Sequence, residues 1–507
     1  MVDLELRPPA RPAGMASAAV PPPVEYAPPE DDAPLVDLGG MARESPPWLV
    51  SAIVHMLAMI VFGLLVVNAS DEADLLLDAG YSDDLGESLD DDLDLANTEF
   101  EVDEQVLASD TLPVVEDPFA MPDVTDVAPN PVMPFGSVAV PTAIGVALTG
   151  REPGMKEALL KSYGGTAKTE GAVALGLHWL KAQQHHSGLW SLAGPYNDGS
   201  PSENPEAATA MALLAFQGAG YTPMSDPQHP FTPVVRRGWS ALLKRLESDG
   251  RFFHDVPTSH QLYTQAQCTI ALCELYAMTG DAQYYEAAQR AVDYCVKIQS
   301  PQGGWRYGEG DPGDPFTDSD MSVTGWFVMA LQSARMAGIE VPSPVFEKIE
   351  AFLDSVSRGS EAGYDVGSRY AYQPRHGATL ALTAEGLLCR QYLGWPRDDP
   401  RLAAGVEYLV ANLPAWDKRN VYYWYYATQV LHHMEGEPWR QWNDQMRKLL
   451  PEHQEKRGRE RGSWDPRGDR WGDAGGRLYV TCLSLCVLEV YYRHLPLYRT
   501  GLFENVR

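Results

Sequence analysis

Two aspartates, Asp318 and Asp320, stand two positions apart just before an apolar run that begins at Met321 and includes Val323, Trp326, Phe327 and Val328. An acidic cluster at a helix start either caps that helix against its positive end or, in a dry pocket with partners for its anion, supplies a proton. Aromatic material for such a pocket is plentiful. Tyr422, Tyr423, Trp424, Tyr425 and Tyr426 form one run, and Trp326, Tyr263, Tyr479 and Tyr491 belong to similar apolar stretches. A helix turns only part of its surface one way, so Tyr422 with Tyr425 or Tyr426 is expected to line a cavity, joined by Trp326 and Tyr479. Aromatic faces of this kind suit an isoprenoid, a lipid or a glycan. Glu385 and His376 make a second candidate acid–base couple near the same wall. Of the six cysteines, Cys268, Cys273, Cys482 and Cys486 fall within apolar stretches, where cysteine serves as a small buried hydrophobe. No metal and no cofactor are expected, and the state of Cys295 and Cys389 is left open.

These residues need elements to hold them, and the chain repeats itself. The order Trp179, Gln184, Gly188, Trp190 recurs as Tyr294, Gln299, Gly303, Trp305. Amphipathic helices are expected near 170–184, 231–247, 281–299, 344–357, 400–412 and 438–456, and helices apolar nearly all round near 205–219, 261–278, 320–337, 378–393, 421–435 and 477–492. Glycine–aromatic turns punctuate the pairs at Gly188/Trp190, Gly250/Phe252, Gly303/Trp305, Gly363/Tyr364 and Gly462/Trp464, with a degenerate turn at Pro414/Trp416. Six hairpins with amphipathic outer and apolar inner helices close most economically into an all-α, double-walled toroid over residues 151–507. Gln184, Trp190, Gln299, Trp305 and Trp464 are expected to staple neighbouring hairpins.

These motifs resemble the prenyltransferase and squalene-oxidase repeat family, which includes squalene-hopene cyclases and protein prenyltransferase β subunits. The resemblance implies an (α/α)6 toroid. Against the cyclases' Asp-x-Asp-Asp-Thr-Ala segment, Asp318 matches the first acid and Asp320 the central proton donor, while Met321 replaces the third acid and Ser322 the threonine. Against the prenyltransferases' zinc-binding Asp-x-Cys, Asp293 and Cys295 have the spacing but sit on an outer helix. A ring that binds a ligand or partner is therefore expected. An isoprenoid cyclase using Asp320 is one alternative, and a glycan-active lyase or hydrolase is another.

The front of the 507-residue chain is different in kind. Of the formal net charge of −30, residues 71–126 carry 20 acids and no lysine or arginine, whereas residues from 151 onward hold 41 acids and 36 bases. A disordered cytoplasmic tail over 1–46 and a disordered acidic, then proline-rich, linker over 69–150 are expected, with no nucleic-acid partner. Between them, residues 47–68 include an uncharged apolar stretch, Trp48 to Asn68, long enough to span a bilayer. Arg43 precedes it and no further base occurs until Arg151, which places the ring on the exoplasmic, periplasmic side. Ser51 and His55 share one face of that span. Their spacing resembles the anchor of TonB-like proteins, which implies coupling to an ExbB/ExbD-like complex.

Overall fold

The computed structural model describes residues 146–308, 318–359 and 366–498. The tail, the apolar stretch Trp48 to Asn68 with Ser51 and His55, and almost all of the acidic linker lie outside the described residues. Among those described, no helix is long and apolar enough to cross a membrane.

A 3-10 turn, Val146–Arg151, leads into α1 (Pro153–Tyr163), a strap that the repeat pattern does not announce. The hairpins follow in chain order as α2 (Ala167–Ala182) with α3 (Pro205–Gly218), α4 (Thr232–Leu243) with α5 (Thr258–Thr279), and α6 (Ala282–Lys297) with α7 (Met321–Met336). Next come α8 (Ser343–Val356) with α9 (Leu380–Tyr392), α10 (Pro400–Val410) with α11 (Val421–Met434), and α12 (Gly436–His453) with α13 (Gly472–Leu488). A last turn of helix, α14 (Val490–Arg493), ends the ring. The only strands among the described residues, β1 (Ser357–Arg358) and β2 (Arg369–Tyr370), pair antiparallel inside the fourth hairpin.

Burial follows the apolar pattern. In α6 the buried residues are Tyr284, Ala287, Ala288, Ala291, Val292, Tyr294 and Cys295, one stripe at three- and four-residue spacing. In α7 nearly every residue is buried, because it packs on both sides. The inner helices contact one another in the order α3, α5, α7, α9, α11, α13, and α13 returns to α3. The outer helix α2 lies against α13 and α12, so the two walls close together. The result is a closed ring of six hairpins.

The turns carry the staples. Gln184 Nε2 donates to Gly188 O and Val234 O, both at 2.9 Å, and Gln299 Nε2 donates to Gly303 O at 2.9 Å and Val345 O at 3.0 Å. Each amide thus holds its own turn and the next outer helix. Gln454 does the same for the sixth hairpin, reaching Gly462 O and Ala172 O, both at 2.8 Å. The indoles of Trp190, Trp305 and Trp464 donate to Leu180 O, Cys295 O and Leu450 O. In the fourth hairpin the aromatic whose N–H bonds to an inner-helix threonine is Tyr370, on Thr383 Oγ1 at 3.2 Å. Gly363 and Tyr364, expected in that role, lie outside the described residues. Gly303 (φ +97°) and Gly462 (φ +98°) press on the next outer helix so closely that a Cβ would stand 2.1 Å from Lys348 O or 2.2 Å from Leu175 O. The Gly462 contact joins the last hairpin to the first.

At the end where the inner helices finish, the strap inserts Arg151, 4% exposed. Its Nη1 lies 2.8 Å from Glu274 Oε2 and its Nε donates to Arg493 O at 3.0 Å. Arg493 Nη1 in turn donates to Leu214 O at 2.8 Å and meets Glu489 Oε2 at 3.1 Å. Cations belong there, because helix C-terminal ends carry partial negative charge. Burial alone would raise the Glu274 pKa, but Arg151 and Arg493 outweigh it and hold the carboxyl below its usual range.

Candidate functional site

All six inner helices begin at the opposite end, and hydrogen bonds near their starts join α3, α5, α7 and α11. Asn204 Nδ2 donates to Thr264 Oγ1 at 2.8 Å, Tyr263 and Ser322 hydroxyls meet at 2.7 Å, and Tyr422 Oη donates to Ser322 O at 3.2 Å. Convergent helix starts bring six partial positive charges to one mouth, which favours carboxylates there.

Asp320 is the N-cap of α7 and is fully buried. Its Oδ1 accepts from Val323 N at 2.9 Å and Ser322 Oγ at 2.8 Å. Its Oδ2 accepts from Tyr372 Oη at 3.0 Å and lies 3.6 Å from Arg306 Nε. The Tyr372 hydroxyl also bonds to that of Tyr307, and the Arg306 guanidinium sits 5.2 Å from the Tyr307 ring and 5.9 Å from the Tyr372 ring. Burial pushes the Asp320 pKa from 3.8 up to about 6, against the pull of its hydrogen bonds and of Arg306. Burial, then the Asp320 charge, push Tyr372 upward as well.

Glu385, on the second turn of α9, is also fully buried, and its Oε2 accepts from Tyr422 Oη at 2.9 Å. Burial raises its pKa well above the usual carboxylate range, and the Asp320 charge adds to the rise. The two acids therefore stand on neighbouring inner helices, α7 and α9, at one tyrosine-lined mouth, linked through Ser322 and Tyr422.

Below the mouth the ring is filled. Trp326 stacks on Tyr425, centroids 5.6 Å apart at 14°, and meets Tyr426 edge-on at 6.1 Å. These three side chains are 3%, 4% and 0% exposed, so they pack on one another as a floor. Of the aromatics expected to line a cavity, Tyr422 and Tyr479 are half-buried near the mouth, whereas Trp326, Tyr425 and Tyr426 close it from beneath.

Other expected residues fall elsewhere. Asp318 is half-buried, accepts from Ser319 N at 2.8 Å, and has no bond to the Asp320 network among the described residues. Ser319 belongs to the turn, where its Oγ accepts from Gly304 N at 3.0 Å. His376 is exposed beyond Tyr372, rings 6.0 Å apart, so Glu385 and His376 are not brought together as a couple. Cys295 is buried against Thr269 and Gln265, while Asp293 points outward. All six cysteines are buried free thiols.

Three participants were absent from the sequence expectations: Arg306, Tyr307 and Tyr372. Tyr307 and Tyr372 each lie two residues past a turn aromatic, Trp305 and Tyr370, so a repeated aromatic at that position was the available signal. A further rim residue is Trp471, 47% exposed, with Arg470 at 5.1 Å from its ring. It is fixed by Asp469, which also accepts from Val421 N at the start of α11.

No family model matches the chain, and no curated protein does. Solved structures similar to it include a type II terpene cyclase from Scytonema in complex with geranylgeranyl dihydroxybenzoate, with TM-score 0.42 and 14% identity, covering 66% of this chain and 98% of that one. An α-1,6-mannanase of Salegentibacter sp. HEL1_6 in complex with α-1,6-mannotriose has TM-score 0.45 and 10% identity, covering 64% and 99%. An α-amylase from Clostridium perfringens has TM-score 0.45 and 10% identity, covering 63% and 97%. At these values the likenesses carry no argument about this chain's ligand or chemistry.

Proposed function

We propose that this chain is a ligand-binding toroid whose mouth takes a glycan, and that the apolar stretch Trp48 to Asn68 tethers it to the exoplasmic face of a membrane. One observation carries the first part. Four tyrosine hydroxyls, those of Tyr263, Tyr307, Tyr372 and Tyr422, join Ser322, Asp320 and Glu385 in the mouth, above a closed aromatic floor. Tyrosines that offer both a ring face and a hydroxyl suit a sugar, which stacks through its C–H face and bonds through its hydroxyls. A long isoprenoid needs a deep, dry, apolar pocket instead, and the packed rings of Trp326, Tyr425 and Tyr426 occupy that space. Asp320 already accepts three hydrogen bonds, and Met321 supplies no second acid to strengthen it as a donor to an alkene.

The tether rests on the uncharged length of that stretch and on Arg43 before it. Coupling through Ser51 and His55 to an ExbB/ExbD-like motor is a further step, supported by their spacing alone. A reporter fused after residue 150 should be active only outside the cytoplasm, and cytoplasmic activity would overturn the orientation.

A second reading, acid catalysis on a glycosidic bond, is favoured by the Asp320 pKa of about 6, which leaves a protonated fraction near neutral pH. Incubating the full-length protein with mannohexaose, cellohexaose, squalene and geranylgeranyl diphosphate, with products read by mass spectrometry, separates these readings. Binding alone leaves every substrate intact. Shortened oligosaccharides that vanish in Asp320→Asn would establish the hydrolase, and cyclic isoprenoid products that vanish in the same variant would establish the cyclase.

A further inference from the structure

The outer wall bears a groove of about 510 Å³ between the turn at His186 and Ser187 and helix α4, flanked by Arg236, Arg237, Lys244 and Arg245. No aspartate or glutamate lines it. Arg236 donates to Pro223 O at 3.0 Å and Arg237 to Gln184 Oε1 at 2.6 Å, and both acceptors are neutral. Among the described residues neither these two nor Lys244 forms an ion pair, and Arg245 has only Glu206, at 3.6 Å. Several other exposed or half-exposed arginines of the ring have their charge met locally, Arg401 by Asp399, Arg440 by Glu437, Arg447 by Asp444 and Arg467 by Asp465, whereas here four cations line one groove. The groove is thus a block of uncompensated positive charge on a chain whose net charge is −30.

The same chain holds a segment of opposite character. Glu101, Asp103, Glu104, Asp110, Glu116, Asp117, Asp123 and Asp126 occur between residues 101 and 126 with no lysine or arginine among them. The stretch from Asp126 to Val146 can extend over roughly 70 Å, against about 18 Å for the length of α4. A tethered anion meets the groove at an effective concentration near the millimolar range, well above that of a free competitor. We infer that the acidic stretch 101–126 occupies this groove on its own ring, held by charge, so that the wall's cations stay covered until salt or a stronger polyanion displaces it.

The test uses the full-length chain and a carbodiimide, which condenses a carboxylate with a lysine amine at contact distance. Lys244 should couple to acids of 101–126 with a yield about fivefold above that of the exposed Lys297 and Lys348, and 0.5 M salt should remove the excess. Arg236→Glu with Arg237→Glu should remove it at low salt. Because that pair could disturb the Gln184 staple, a second variant leaves the ring untouched: Glu101→Gln, Asp103→Asn and Glu104→Gln should lower coupling of Lys244 to Glu116 and Asp117. Equal yields at the three lysines, or yields indifferent to salt and to both variants, would overturn the inference. So would coupling found mainly between isotopically labelled and unlabelled chains, which would make a second copy the occupant.

Discussion

Asp320 shows how one carboxylate serves a helix and a site together. Its Oδ1 caps α7, and its Oδ2 is held by Tyr372 beside Arg306. Burial raises its folded pKa above the unfolded value, so the folded state favours the protonated form. The stability this contributes is fully present below pH 3.8 and is lost as pH rises through about 6. At neutral pH the rise corresponds to a cost of about 3 kcal/mol. Asp320→Asn keeps a capping oxygen and removes the charge, so it should be more stable than wild type at pH 7.5 and lose that advantage at pH 4, as read by denaturant unfolding. An Asn variant equally stable relative to wild type at both pH values would show that the burial cost is already offset. The acid itself was legible from its place before an apolar run. Tyr372 was not, because it reaches Asp320 from another hairpin, 52 positions along the chain. Tyr422 likewise reaches Ser322 over 100 positions, a closeness that only ring order creates.

At the scale of the element, helices and their inner or outer rank were legible because burial on one face or on all faces leaves different apolar periods. The turn chemistry was only partly so. Trp190 and Trp305 each precede their threonine partner by 19 positions, and Tyr364 stands at that same spacing from Thr383. The bond is made instead by Tyr370, 13 positions away, the spacing that Phe252 and Gln265 also use. Gln454 escaped notice because Arg457 to Arg461 lengthen its turn, although it staples the ring shut. Gly462→Ala should therefore cost a few kcal/mol, since the new Cβ would meet a backbone carbonyl of α2 and the residue would keep a left-handed φ. Gly458→Ala, with φ +71° and open space around it, should cost only about 1 kcal/mol. Similar losses in urea-induced unfolding of the two variants would contradict the account of ring closure.

The described ring has a polar mouth where the inner helices start, an aromatic floor, and an ionic base where they end. The strap that completes the base was invisible in the repeat pattern, because Arg151 belongs to no hairpin and finds Glu274 and Arg493 only when the ring is closed. Arg151→Ala would leave Glu274 and Arg493 to a mismatched buried cluster and should cost about 3–5 kcal/mol. Arg467→Ala, at an exposed and solvent-screened pair, should leave the unfolding midpoint nearly unchanged. Equal midpoints for the two in guanidinium unfolding would show that the base is not a keystone. The central claim concerns the mouth, and calorimetric titration of the full-length protein tests it most directly, with mannohexaose, cellohexaose, maltohexaose and chitohexaose set against geranylgeranyl diphosphate. The account predicts saturable binding of at least one hexasaccharide, weakened about tenfold or more by Tyr372→Phe combined with Tyr263→Phe, and none of the diphosphate. Saturable binding of geranylgeranyl diphosphate, with every hexasaccharide silent, would contradict it.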